Sequence, residues 1–134
     1  MLNSEILEFL RRLNGFNGAV VLSFRVNFGT SDDDSEVIFK LKAYCDDSGS
    51  EHGWHQVVIH VRKRVIFSWV ESSWDTNLVL NFPVRLIEWN DLQIIDFDPL
   101  HARQKELGLA VSEWFVGGLD VSISIEGNER SHPT

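Results

Sequence analysis

The residues best spaced for chemistry are Asp96, Asp98 and His101. In an extended strand end, positions i and i+2 share a side and stand about 7 Å apart, so the two carboxylates point the same way. The imidazole follows within one turn. Carboxylate oxygens suit a hard ion such as Mg²⁺ or Ca²⁺, a neutral imidazole can complete the set, and the same trio can serve as an acid and base pair. A plainer role competes, because Asp98 before Pro99 has the form of a helix cap followed by proline at the first helical position. The plainer role is preferred.

Other candidates carry less. His55 and His60 differ by an odd number and point to opposite faces of a regular strand, so with His52 they make no zinc site without a bulge. Asp32-Asp33-Asp34 lacks the alternating acids, the glycine and the distal glutamate of a calcium loop, and reads as a solvated turn. Arg62-Lys63-Arg64 is the one basic cluster and reads as a turn. No nucleophile elbow, phosphate-cradling glycine loop or dinucleotide fingerprint occurs, so no cofactor is expected. His132 falls in the polar tail, at a solvent-exposed position.

The tryptophans are more informative, since five occur in 134 residues and strand alternation does not turn all of them inward. Trp54 and Trp89 fall out of phase with the core residues of their strands, and Trp74 lies in a loop. With the outward His60, these form the candidate binding surface, because exposed tryptophans are enriched where binding energy concentrates. The alternative is that they cover a second layer of the fold. Trp69 and Trp114 are assigned to the core.

The elements that position these residues begin with a helix, where Ile6, Leu10 and Leu13 recur at helical spacing beside Leu7 and Phe9. Asn3 or Ser4 caps it, Glu5 and Glu8 sit near its start, Arg11 and Arg12 near its end, and Gly15 stops it. From Ala19 the period becomes two, with Val20, Leu22, Phe24, Val26 and Phe28 on one face. A turn at 29–35 leads to a strand that points Val37, Phe39, Leu41, Ala43 and Cys45 inward. The next strand turns Val57, Ile59 and Val61 inward and Trp54, Gln56, Val58, His60 and Arg62 outward, and Val65-x-Phe67-x-Trp69 follows.

Pro83 interrupts the apolar stretch from Leu78 to Trp89, which predicts an edge strand or a kink there. Asn90-Asp91 reads as a turn into Leu92–Phe97, a run apolar on both faces and therefore central. Asp98-Pro99 opens a short second helix to about Gly108, Leu109–Val116 fits either type, and Leu119–Glu126 alternates as a strand. The result is a mainly β (α+β) chain, an antiparallel β-sandwich or partly open barrel of about seven strands with the N-terminal helix over one opening. Residues 1–126 form one β-rich domain and 127–134 a flexible tail.

Composition bounds the partners. Twelve Lys and Arg against 20 Asp and Glu give a net charge of −8, which repels phosphate backbones and steers towards basic proteins. Nucleic acid is not an expected partner. Cys45 is the single cysteine and cannot close an internal disulfide. Met1-Leu2-Asn3-Ser4-Glu5 lacks a basic leader, and no run approaches the roughly 20 apolar residues of a membrane helix, so a cytoplasmic protein without a membrane partner is expected.

Four segments carry a resemblance: Leu13-Asn14-Gly15-Phe16-Asn17-Gly18-Ala19 entering the first strand, the Val57-x-Ile59-x-Val61-x3-Val65-x-Phe67 spacing, Asp96-Phe97-Asp98-Pro99, and Ser112-Glu113-Trp114-Phe115-Val116-Gly117-Gly118. In their order the chain resembles small bacterial β-rich proteins of the immunity protein 50 type, which guard a cell against polymorphic toxins. Members of that set tend to carry His-Asp where this chain has Asn17-Gly18, so any role of that pair does not carry over. The resemblance implies an antidote-like protein-binding module, partner of a basic protein. Two other classes stay open: a metal-dependent or acid-base enzyme centred on Asp96, Asp98 and His101, and a self-associating homodimer that buries its outward aromatics.

Overall fold

The computed structural model describes residues 4–31, 34–45, 53–69, 80, 83–104 and 108–126. Chain order runs α1 (Ser4–Arg12), a 3₁₀ turn (Asn14–Phe16), β1 (Val20–Asn27), β2 (Glu36–Cys45), β3 (Gly53–Arg62), β4 (Ile66–Trp69), β5 (Arg85–Trp89), β6 (Leu92–Asp96), a second 3₁₀ turn (Pro99–His101), β7 (Arg103–Gln104), β8 (Ala110–Val111), β9 (Trp114–Gly118) and β10 (Asp120–Glu126). The protein is mainly β, with one N-terminal helix and antiparallel sheets. Three strands go beyond the period-two runs: β7 and β8, of two residues each, and β9, with β8 and the start of β9 dividing the ambiguous Leu109–Val116 stretch between them. No helix among the described residues is long and apolar enough to cross a membrane.

Helix α1 forms because its apolar residues fall on one side and its charges complement the helix dipole, with Glu5 in the first turn and Arg11 and Arg12 in the last. Ile6, Leu10 and Leu13 are buried in the main core. Glu8 and Arg11, one turn apart, pair at 2.7 Å on the exposed side. The helix stops in three successive residues of positive φ, Asn14, Gly15 and Phe16. Gly15 is needed there twice over, since φ is +62° and an added Cβ would lie 2.8 Å from Pro83 Cβ. Phe16 takes the same unfavourable backbone with its ring fully buried.

The strands form two four-stranded antiparallel sheets, ordered β1-β2-β3-β10 and β4-β9-β6-β5, plus the short pair β7-β8. β3 and β4 are consecutive, as are β9 and β10, and β3 pairs with β10 while β4 pairs with β9. One long two-strand ribbon therefore bends from the first sheet into the second. The bend is tight, with Lys63 and Arg64 at positive φ and the Leu119 amide donating to the Lys63 carbonyl at 2.9 Å. On the other side, the Gly18 amide donates to Leu80 O, the Leu80 amide to Ala19 O and the Val84 amide to Gly15 O. These bonds tie the lead-in of β5 to the lead-in of β1, so the sandwich is partly closed on both sides.

The main core lies between the sheets and takes Val37, Phe39, Leu41, Val57, Ile59 and Val61 from the first sheet and Ile95 and Val116 from the second. Phe39 stacks on Phe97 at 4.6 Å and meets Phe24 edge-on at 5.6 Å. β6 is buried throughout and central, as its two apolar faces require. β5 is an edge strand that starts just after Pro83, where the missing amide costs no ladder bond. Asn90 and Asp91, both at positive φ, make the hairpin turn between β5 and β6.

Three expectations are corrected. First, the alternation from Val20 holds at Phe24 and Val26, which pack on the main core, but fails before them, because a bulge between Val21 and Ser23 adds a residue and reverses the phase. Val21 is buried, Leu22 is exposed, and Phe28, past the strand end, is 77% exposed and touches Phe67. Second, Asp98-Pro99 opens a single 3₁₀ turn, and the chain then enters β7 instead of continuing as a helix to Gly108. Third, Asp98 makes no side-chain cap bond; its own amide donates to the Asp96 side chain. The tail 127–134, with His132, and the residues His52 and Trp74 lie outside the described residues, as do the side chains of Trp69 and His101.

Candidate functional site

Alternation in β2, β3 and β10 sends one set of side chains into the core and leaves the other on the outer face of the first sheet. The register sets that face out in rows. At one end Asn27, Glu36, Arg62 and Asp120 lie side by side; the next row places Arg25, Ile38, His60 and Ser122 together. Lys40 then stands beside Val58, Lys42 beside Gln56, and Tyr44 beside Trp54 at the far end.

The first row and His60 are joined by polar bonds. Asn27 Nδ2 donates to Glu36 Oε2 at 3.0 Å, and His60 Nε2 lies 2.5 Å from Glu36 Oε1, donating when that nitrogen carries the proton. The Asn27 amide, then His60, and further off Arg25, hold the Glu36 carboxyl below its ordinary range. Arg62 donates to Asp120 at 2.7 Å. Tyr44 and Trp54 meet edge-on at 5.4 Å, and the Trp54 side is 52% exposed.

The two sheets differ on their outer faces. On the second, Leu109 and Val111 lie over Leu92 and Ile94, with Ile66, Ile87, Trp89 and Phe115 half-buried around them, forming a separate apolar cluster. The chain covers that face itself. No such cluster covers the outer face of the first sheet among the described residues.

Of the sequence candidates, Trp54 and His60 thus share one face, on the same strand. Trp89 sits on the opposite sheet, half-buried in the second cluster, the layer-covering role that its phase also allowed. Trp114 is half-buried and packs on the main core. His55 points towards the interior side opposite Ala43, and Cys45 is a buried core residue.

Asp96 is fully buried, and its carboxylate is engaged by the fold. Oδ1 accepts from the Asp98 amide at 3.0 Å and the Ser112 hydroxyl at 2.5 Å; Oδ2 accepts from the Ser112 amide at 3.0 Å. Ser112 Oγ also accepts from the Trp114 amide at 3.0 Å. A metal or proton-transfer site using Asp96 has to break this set, and among the described residues no three metal-ligating side chains gather.

Comparison with protein-family models, curated proteins and solved structures returns no match.

One concavity adjoins the helix, about 460 Å³ in volume, between α1 and the lead-in of β5. Leu7, Leu10, Pro83, Val84 and Leu86 line it, and its two cations are committed, Arg11 to Glu8 and Arg85 to the Ala110 carbonyl. Sequence reasoning did not single out Asn27, Glu36, Tyr44 or Ser112 as partners. Their roles arise from strand register, and the sequence signal for them was only that Glu36, Lys40 and Lys42 alternate with the core residues of β2.

Proposed function

We propose that this chain is a protein-binding module, an antidote-like partner of a basic protein, and that the outer face of the first sheet is its contact surface. The observation that carries this reading is Trp54, 52% exposed and set edge-on against Tyr44 on a sheet face that no described element covers. A large aromatic held in place by a neighbour loses little freedom on binding and buries much area, the profile of a dominant contact residue. Net charge supports the sign of the partner. At −8 the chain steers basic proteins towards itself, and the connection between the strand ends that bear Tyr44 and Trp54 carries Asp46, Asp47 and Glu51. The resemblance to immunity proteins of the 50 type points the same way.

The acid-base reading centred on Asp96, Asp98 and His101 has less support, since the Asp96 carboxylate already accepts three hydrogen bonds. Self-association through the same face is the remaining alternative, and light scattering separates it from hetero-association. The reading is tested by capturing partners from lysate of the native cell at low and high salt. A basic protein retained at low salt, released at high salt and lost with Trp54→Ala supports it; a partner retained equally by Trp54→Ala overturns this face as the contact.

A further inference from the structure

We infer that the groove between α1 and β5 is the seat of an extended apolar segment of a partner protein, which adds to the second sheet as a strand beside β5. The site is separate from the outer face of the first sheet and stands or falls by itself.

β5 is the edge of its sheet, and no described strand pairs with its far side. In a strand, amides and carbonyls two residues apart point the same way. Val84, just before β5, donates its amide away from β6 to the Gly15 carbonyl. Leu86, two residues on, therefore turns its amide and carbonyl out of the edge as well. β6 keeps the same phase, since the Phe97 amide, next to the Arg85–Asp96 pair, donates to Trp114 in the direction of β9.

The chain itself begins an added strand here and then abandons it. Gly18 donates to Leu80, Leu80 to Ala19 and Val84 to Gly15, an antiparallel run that lays residues 15–19 along the lead-in of β5. Continued, that run would set residue 13 opposite Leu86, but Leu13 is drawn fully into the core at the end of the helix. The groove opens where the pairing stops, so a second extended segment takes up a ladder that the fold has already started.

The walls set the chemistry of that segment. Leu7 and Leu10 on the helix and Val84 and Leu86 on the strand line a cleft of about 460 Å³, a volume usual for ligand sites, and Leu7 is 43% exposed. Side chains of an added strand alternate, so every second one falls on these residues and is apolar. A small apolar molecule would cover the same side chains but strip the Leu86 amide and carbonyl of water without replacing their hydrogen bonds. A second copy is a poorer complement too, because pairing β5 with itself brings Glu88, in the same row as Val84 and Leu86, to the apolar wall.

A displayed library of random octapeptides, panned on the full chain and counter-selected on Leu7→Glu, tests the inference. Peptides with apolar residues at alternate positions should be enriched. The best of them, labelled for anisotropy, should lose on the order of tenfold in affinity with Leu7→Glu, and a similar factor when the one backbone amide that pairs with Leu86 is N-methylated. Hydrogen exchange at the Leu86 amide should slow at least about tenfold in the complex, and Trp54→Ala should leave the affinity unchanged. Melting curves check that Leu7→Glu is folded, and the N-methyl scan needs no variant at all. No enrichment over Leu7→Glu, or a peptide that no N-methylation weakens, overturns the added strand. A concentration-dependent dimer in light scattering that Leu7→Glu abolishes overturns it in favour of a second copy. A peptide lost with Trp54→Ala and kept with Leu7→Glu overturns this seat and supports the first sheet's face.

Discussion

Asp96→Ala removes the acceptor of two backbone amides and the Ser112 hydroxyl at a fully buried position. Each donor left unsatisfied costs about 1–3 kcal/mol, so urea unfolding should show a loss of roughly 3 kcal/mol or more, and Asp96→Asn a smaller one. The same engagement predicts that millimolar Mg²⁺ or Ca²⁺ leaves the melting temperature unchanged; a rise of several degrees would revive the metal reading. Glu36 gives a pH prediction. Its folded carboxyl titrates below the ordinary range, so its stabilisation is present above the unfolded value and lost as pH falls through the folded one. Denaturation of wild type and Glu36→Gln should therefore differ near neutrality and converge in acid. The sequence made Asp96 conspicuous by its spacing from Asp98, but the partner that decides its role, Ser112, is 16 residues away and is brought close only by the pairing of β6 with β9.

At the scale of elements, β2 and β3 were legible because each buries one face only, and a slip of one residue would expose a whole row of core side chains. β1 was legible as a strand with Phe24 and Val26 inward, but the phase of its first residues was not, since a bulge leaves no mark in a run where most residues are apolar. The fate of Asp98-Pro99 was hidden for a related reason: cap and proline mark where a turn starts but not how far a helix continues. The bent ribbon depends on Gly118, where an added Cβ would lie 2.6 Å from Val61 Cγ1 and 3.0 Å from the Arg62 carbonyl oxygen. Gly118→Ala should cost about 1–3 kcal/mol by overpacking, read as a shift of the denaturation midpoint; no shift would mean that the crossing is looser than its geometry.

At the scale of the molecule, one sheet has its outer face covered by its own chain and the other, among the described residues, does not, and this asymmetry separates Trp54 from Trp89 although both fall out of phase with their strands. Sequence showed two outward tryptophans; it did not show which sheet each belonged to, because strand order across the bend is set by non-local pairing. Association with a basic partner should weaken steeply with salt, as steering by net charge is screened beyond about 10 Å at 0.1 M.

The most direct measurement is the dissociation constant of the captured partner for Trp54→Ala and Trp89→Ala, each alongside its melting curve. The account predicts that Trp54→Ala weakens binding at least about tenfold with stability within about 1 kcal/mol of wild type, whereas Trp89→Ala lowers the melting temperature and leaves the affinity of the folded protein unchanged. Affinity lost with Trp89→Ala and kept with Trp54→Ala would contradict the first sheet's outer face as the binding surface.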